Sequence, residues 1–270
     1  VSIAADVVKA IDDGYEKEKR EKPRRYIGAS IIGAPCDAVL AYNLRGFPND
    51  EPDARLKRIF GLGHVLEDMV VKDLKQKADV RVWEVDGLTS KQHSYEAWGG
   101  HIVCHMDGHI EVDGELMVLE IKSMNDASFN KFKKDGVKFS HPRYYGQLQM
   151  MMGMSDIPKS FFIAINKNNS EYHAETVEYD EFEYAHIKER VERAILGTAR
   201  KISVDSTDWR CRGCFKRSVC WGGLLEVPRE CATCGYAQAS PDGAWHCNKH
   251  DKNATDTCDD YKVYEPLPKE

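Results

Sequence analysis

The sequence contains no apolar run near the roughly 18 residues that a membrane-spanning helix requires, no internal repeat and no low-complexity tract. Its first residues lack the succession of basic, apolar and small residues that marks a secretion signal. A strong net charge is missing too. Lys and Arg number 38 against 44 Asp and Glu, a formal charge of −6. That balance argues mildly against a protein that coats nucleic acid by charge alone, yet it leaves room for one that grips it along a single basic groove. Cysteine, by contrast, is abundant. Nine cysteines without a secretion signal to justify disulfides, and clustered late in the chain, point to metal. A length of 270 residues with 42% hydrophobic and 30% charged content suits one sizeable α/β domain with a small appendage.

Along the chain, residues 1–25 are densely charged with mixed signs and read as an exposed helix or frayed start. Ser30 to Arg45 reads as a loop entering a helix, with Pro35 near its beginning. Between Arg58 and Lys75, Ile59, Phe60, Leu62, Leu66, Met69, Val70 and Leu74 recur at helical spacing. Val80 to Val85 is a short strand. His101 to Val112 and Glu115 to Ser123 form a hairpin about Asp113-Gly114, because aspartate-glycine between apolar runs favours a two-residue turn. Tyr144 to Met154 is a Met-rich helix, Ser160 to Asn166 a buried strand, Glu171 to Tyr179 its alternating neighbour, and Tyr184 to Ile202 a long charged helix. From Trp209 the composition becomes cysteine-rich and loop-like.

The hairpin carries the chemistry. A two-residue turn sets Val112 opposite Glu115, and stepping outward sets Asp107 opposite Glu120 on one face. Lys122, two residues on, projects from that same face. Two carboxylates so placed repel unless a cation sits between them, and a hard divalent ion such as Mg²⁺ suits the pair. An exposed polar hairpin face is the bland alternative. Apolar residues on both faces (Leu116 and Val118 on one, Leu119 and Ile121 on the other) favour a buried functional strand.

The segment MDGHIEVDGELMVLEIKS resembles the core of PD-(D/E)XK nucleases, with an aspartate on one strand and E-x-K on the next; Met106 stands where the family has proline. Upstream, Gly63-His64-Val65-Leu66-Glu67 is similar to the helical first motif of the RecB-like and lambda-exonuclease-like branches, with His64 and Glu67 on one helix face. Tyr144-Tyr145-Gly146-Gln147 resembles the family's glutamine helix, although the usual tyrosine position falls on Met151. The resemblance covers roughly residues 25 to 222. It implies an α/β fold with a restriction-endonuclease-like core, a central mixed sheet flanked by helices. It also implies DNA hydrolysis by Mg²⁺- or Mn²⁺-activated water, with Asp107, Glu120, the Ile121 carbonyl and His64 around the ion. Lys122, Glu67 and Gln147 would serve the nucleophile and substrate. Lys131, Lys133, Lys134 and Arg143 would track the DNA backbone. An exonuclease in recombination, repair or phage DNA metabolism is the expectation, working in the cytoplasm of a bacterial or phage-infected cell and off the membrane, with DNA and a recombination or replication protein as partners. A structure-specific endonuclease and a non-catalytic DNA-binding scaffold are its rivals, and the sequence is silent on oligomeric state.

The cysteines fall into two sets. Cys36 stands alone ahead of Cys211, Cys214 and Cys220, an arrangement that resembles iron–sulfur nucleases such as the AddB nuclease domain. That likeness implies a [4Fe–4S] cluster closing the nuclease domain (26–222), although four thiolates also fit a structural zinc. Cys231, Cys234, Cys247 and Cys258 read as a zinc-ribbon-like site over 228–264, with His250 able to replace a cysteine. Closed by Zn²⁺, such a site would fold a tail too small to hold a core of its own. Cys104, in a strand, is expected simply to be packed.

Overall fold

The described residues of the computed structural model are 2–18, 22–222 and 226–269, so residues 19–21 of the charged N-terminal segment lie outside them. In chain order the elements are α1 (Ile3–Glu16), β1 (Ile27–Gly28), α2 (Ala29–Ile32), α3 (Asp37–Leu44), α4 (Ala54–Gln76), β2 (Arg81–Trp83), β3 (Ser94–Ala97), β4 (Ile102–His105), β5 (Gly108–Val112) and β6 (Glu115–Met124). There follow α5 (Asp126–Ser140), α6 (Pro142–Ser155), β7 (Lys159–Asn166), β8 (Tyr172–Glu178), α7 (Glu181–Ile195), α8 (Arg217–Trp221), β9 (Ala237–Ala239), β10 (Trp245–Cys247) and β11 (Lys252–Asn253).

The central sheet runs β2-β5-β6-β7-β8. It is mixed, because β6 and β7 pair in parallel while the other neighbours are antiparallel. A parallel pair needs a crossover, and α5 and α6 supply it. Alternation along β6 then divides the core. Leu119 and Ile121 pack with Val70, Val71 and Leu74 of α4 on one face. Val118 and Met124 pack with Phe129, Phe132, Leu148 and Phe162 on the other. Helix, sheet, helix is the three-layer architecture expected from the sequence. A second sheet, β1-β4-β3, and a third, β11-β10-β9, complete the fold.

Several boundaries differ from those read in the sequence. The strand expected from His101 to Val112 breaks at Met106-Asp107, where the chain leaves one sheet for another. Gly108 permits this, since a Cβ there would meet the Trp83 carbonyl at 2.7 Å. The segment between Ser30 and Arg45 makes two short helices around Pro35 rather than one. The lysine run lies on a helix, α5, capped by the Asn125 side chain, which accepts from the Ser128 N–H. The long charged helix starts three residues earlier than expected, capped by Asp180, and stops at Ile195, ahead of Gly197 at φ +75°. Among the described residues no helix is long and apolar enough to cross a membrane.

Candidate active site

The turn residues Asp113 and Gly114 both take positive φ, 52° and 82°, the pairing of a type I′ turn, whose twist matches that of the flanking strands. The register runs from Val112 opposite Glu115 to Gly108 opposite Leu119. Asp107 follows at the strand's end, half-buried, and its Oδ2 accepts the Ile121 N–H at 2.8 Å. That bond fixes the aspartate beside Glu120.

Glu120 is 1% exposed. Its Oε1 accepts from Gln147 Nε2 at 2.7 Å and contacts Lys122 Nζ. Its Oε2 is buried without a hydrogen-bond partner. Lys122 Nζ also donates to the Ile121 carbonyl at 3.3 Å, so that oxygen faces the same space. Glu67 reaches in from α4, half-buried, and senses both Asp107 and Lys122. Burial, then Asp107, pushes the Glu120 carboxyl up to about 8; the pull of Lys122 does not reverse this. The same two causes push Glu67 up to about 7. Burial alone would lower Lys122, but Glu120 and Asp107 outweigh it and hold the ammonium above its ordinary value.

Three acids around one lysine leave an excess of negative charge when all ionise, and a buried anionic oxygen without a partner costs several kcal/mol. A divalent cation relieves both, so Asp107, Glu120, Glu67 and the Ile121 carbonyl suit Mg²⁺ or Mn²⁺. His64 sits at the rim. Its side chain is 83% exposed and Nδ1 lies 3.9 Å from Glu67 Oε2.

Residues 38–158 match the family model of the YqaJ-like viral recombinase domain. The matched span contains Glu67, Asp107, Glu120, Lys122 and Gln147, while Cys36 and the tail fall outside it. Among solved structures, the alkaline exonuclease LHK-Exo from Laribacter hongkongensis is 16% identical over 69% of this chain and 90% of its own, with a TM-score of 0.46. A phage-related exonuclease from Haemophilus somnus 129PT is 14% identical over 63% and 91%, at 0.44. The protein SSO0001 is 16% identical over 83% and 99%, at 0.45. No curated protein matches the chain.

Tyr144 belongs to the site but was not singled out from the sequence. Lys122 Nζ lies 5.5 Å from its ring centre, and the ring stacks on His141 at 5.4 Å. Three residues before Gln147, it brings an aromatic ring to the lysine, whereas Met151, at the family's tyrosine position, is buried in the core. The basic residues scatter. Lys133 pairs with Glu171, Lys131 donates to the Ser140 carbonyl at 3.2 Å, and Lys134 is exposed. Arg143 lies instead at the mouth of the cavity that holds the first cysteine set.

That cavity, about 280 Å³, is lined by Cys36, Cys211, Cys214 and Cys220 together. Burial pushes Cys220 up to about 11 and raises Cys211 and Cys214, and in each case Cys36 adds to the effect. The chain thus gathers cysteines more than 170 residues apart in sequence around a space that a metal group could fill. Lys216, 2% exposed beside Cys214, donates to the Phe47 carbonyl at 2.5 Å. In the tail, Cys231, Cys234, Cys247, His250 and Cys258 line a second, smaller cavity of about 30 Å³. Among the described residues, the metal-ligating trio closed to within 4.8 Å is His250, Cys258 and Asp260. Asp260 was not foreseen, and it also pairs with Lys249 at 2.7 Å. Cys104 is packed as expected, wholly buried with its Sγ 3.1 Å from Met154 Sδ.

Proposed function

We infer that this chain is a Mg²⁺- or Mn²⁺-dependent deoxyribonuclease of the PD-(D/E)XK kind that degrades DNA from its ends, in recombination or phage DNA metabolism. The observation that carries the reading is the convergence of Asp107, Lys122, Glu67 and Gln147 around Glu120, a buried carboxylate with an unpartnered oxygen. The match to the YqaJ-like viral recombinase domain spans all five and supports it.

The bound ion would lower the pKa of a water and offset charge on the phosphate. Asp107 and Glu120 would hold it, with the Ile121 carbonyl and Glu67 completing the set. Gln147 orients Glu120 by donating to Oε1. Lys122 Nζ, held beside Glu120 and the Ile121 carbonyl, would donate to a phosphate oxygen as negative charge builds there. Tyr144 limits where that ammonium can go. Lys134, exposed on α5, would offer charge to the DNA backbone, which makes binding fall with salt.

Two metal groups would brace this site from outside: a [4Fe–4S] cluster, or a structural zinc, on Cys36, Cys211, Cys214 and Cys220, which line one cavity, and a Zn²⁺ on the tail cysteines, which line another. The test of function is digestion of end-labelled linear DNA beside a covalently closed circle. Loss of the linear substrate alone, with divalent metal, supports an exonuclease. Cutting of the circle would move the assignment to an endonuclease, and no cleavage of either would leave a binding scaffold.

A further inference from the structure

Arg45 caps the C-terminal end of α3 and is 1% exposed. Its guanidinium donates from one nitrogen to the carbonyls of Ala232 and Cys234, at 3.0 and 2.9 Å, and from the other to that of Ala237 at 2.8 Å. The Tyr264 ring centre lies 3.9 Å from Cζ and that of Trp245 5.1 Å. Nε is buried without a partner. Among the described residues no carboxylate pairs with this side chain, although it is among the largest fully buried ones. A buried cation is costly unless an anion answers it, and carbonyl dipoles and ring faces offset only part of a full charge.

What Arg45 grips is backbone that carries cysteines. Ala232 and Cys234 belong to the tight turn that carries Cys231 and Cys234, and the Cys234 N–H donates back to the Cys231 carbonyl at 2.9 Å. Ala237 stands in register with Cys247. The guanidinium therefore holds the backbone behind three cysteines that line one small cavity. A divalent ion held by four thiolates carries a net charge of −2, and one held by three thiolates and a histidine carries −1. Both need a counter-cation.

We propose that Arg45 is the counter-cation of a thiolate metal centre formed by Cys231, Cys234, Cys247 and either Cys258 or His250, and that this metal clasps the tail to helix α3. The proposal rests on reading the tail as a zinc site. It adds that the metal and the nuclease body share a buried ion pair, so the tail is not an independent module. Because Cys36 caps the other end of α3, one eight-residue helix joins the two cysteine sets.

The test uses the full-length protein. Zinc affinity is measured against a chromophoric chelator in the wild type, Arg45→Lys and Arg45→Met, with Cys231→Ser defining the tail's share of bound zinc. Co²⁺ substitution reports thiolate ligation by its charge-transfer band. Residues that hold metal ligands from behind are worth about 10- to 100-fold in metal affinity, so Arg45→Met should lose close to 100-fold and Arg45→Lys, which keeps the charge, nearer 10-fold. Both should release the tail to protease within residues 226–230 sooner than the wild type does. Where Arg45→Met fails to fold, the Arg45→Lys affinity decides the matter. Arg45 variants that hold zinc as tightly as the wild type would overturn the proposal. A wild type that binds neither ion through Cys231 would instead overturn the zinc reading of the tail on which it rests.

Discussion

At the scale of single residues the site turns on one buried acid. Glu120 keeps its proton up to about pH 8 and Glu67 up to about 7 in the metal-free protein, because burial and Asp107 disfavour their ionised forms. Unfolded, both ionise near 4.5. The folded chain therefore binds more protons than the unfolded one across that window, so these two groups withdraw stability as pH rises from about 4.5 to about 8. A divalent cation competes with the same protons. Metal binding should be tighter at about pH 9 than at about pH 6 and should release protons, which calorimetry in buffers of differing ionisation enthalpy measures. Binding indifferent to pH would contradict the assignment of Glu120 as a ligand. Gln147→Ala removes the donor that orients Glu120 and should lower the rate of nucleotide release by about 10- to 100-fold, the usual cost of losing an outer-shell partner, with the fold intact by circular dichroism.

The residues of this centre were legible because their geometry is local. Asp113-Gly114 fixes the hairpin register, and strand alternation then delivers Asp107, Glu120 and Lys122 to one place. Arg45 and Asp260 were not legible. The carbonyls that Arg45 binds lie 187 to 192 residues away in sequence, and no periodicity announces such a pairing. Tyr144 stood in the glutamine motif, but its contact with Lys122 depends on how α6 crosses the sheet.

At the scale of elements, that crossing depends on glycine. A Cβ on Gly33, at the end of α2, would meet the Arg143 carbonyl at 2.2 Å, and one on Gly146 of α6 would meet the Gly33 Cα at 3.2 Å. Helix backbones approach this closely only where side chains are missing. Gly33→Ala should therefore cost about 1–3 kcal/mol, as overpacking does, read as a lower urea midpoint. It should also shift the glutamine helix and weaken activity. Unchanged stability would mean that α2 gives way freely. The break at Met106-Asp107 was hidden from sequence reading because the apolar pattern runs on through it. It is the switch from one sheet to another, with Gly108 pressed against Trp83, that ends the strand. The lysine run likewise read as charge alone, although Phe129, Phe132 and Val137 anchor it as a helix on the sheet.

At the scale of the whole molecule, the chain is an α/β body whose late segments fold back on its early ones. The Lys201 N–H donates to the Leu267 carbonyl, and the Leu267 N–H to the Ala199 carbonyl, both at 2.9 Å. Tyr264 joins the main core. Anaerobically purified protein should carry iron and sulfide in the amounts of one cluster. Cys36→Ala should lose them while leaving the tail's zinc in place. Colourless protein holding zinc at both sets would replace the cluster with a second structural zinc.

The central claim is that Asp107, Glu120 and Lys122 hydrolyse DNA. The most direct measurement is nucleotide release from linear duplex DNA with Mg²⁺ and with Mn²⁺, comparing the wild type with Lys122→Ala of equal stability. The account predicts metal-dependent release that falls by about 10²- to 10³-fold in the variant, as expected when a group that stabilises developing charge is removed. Equal release by both proteins would mean that the chemistry lies elsewhere in the chain.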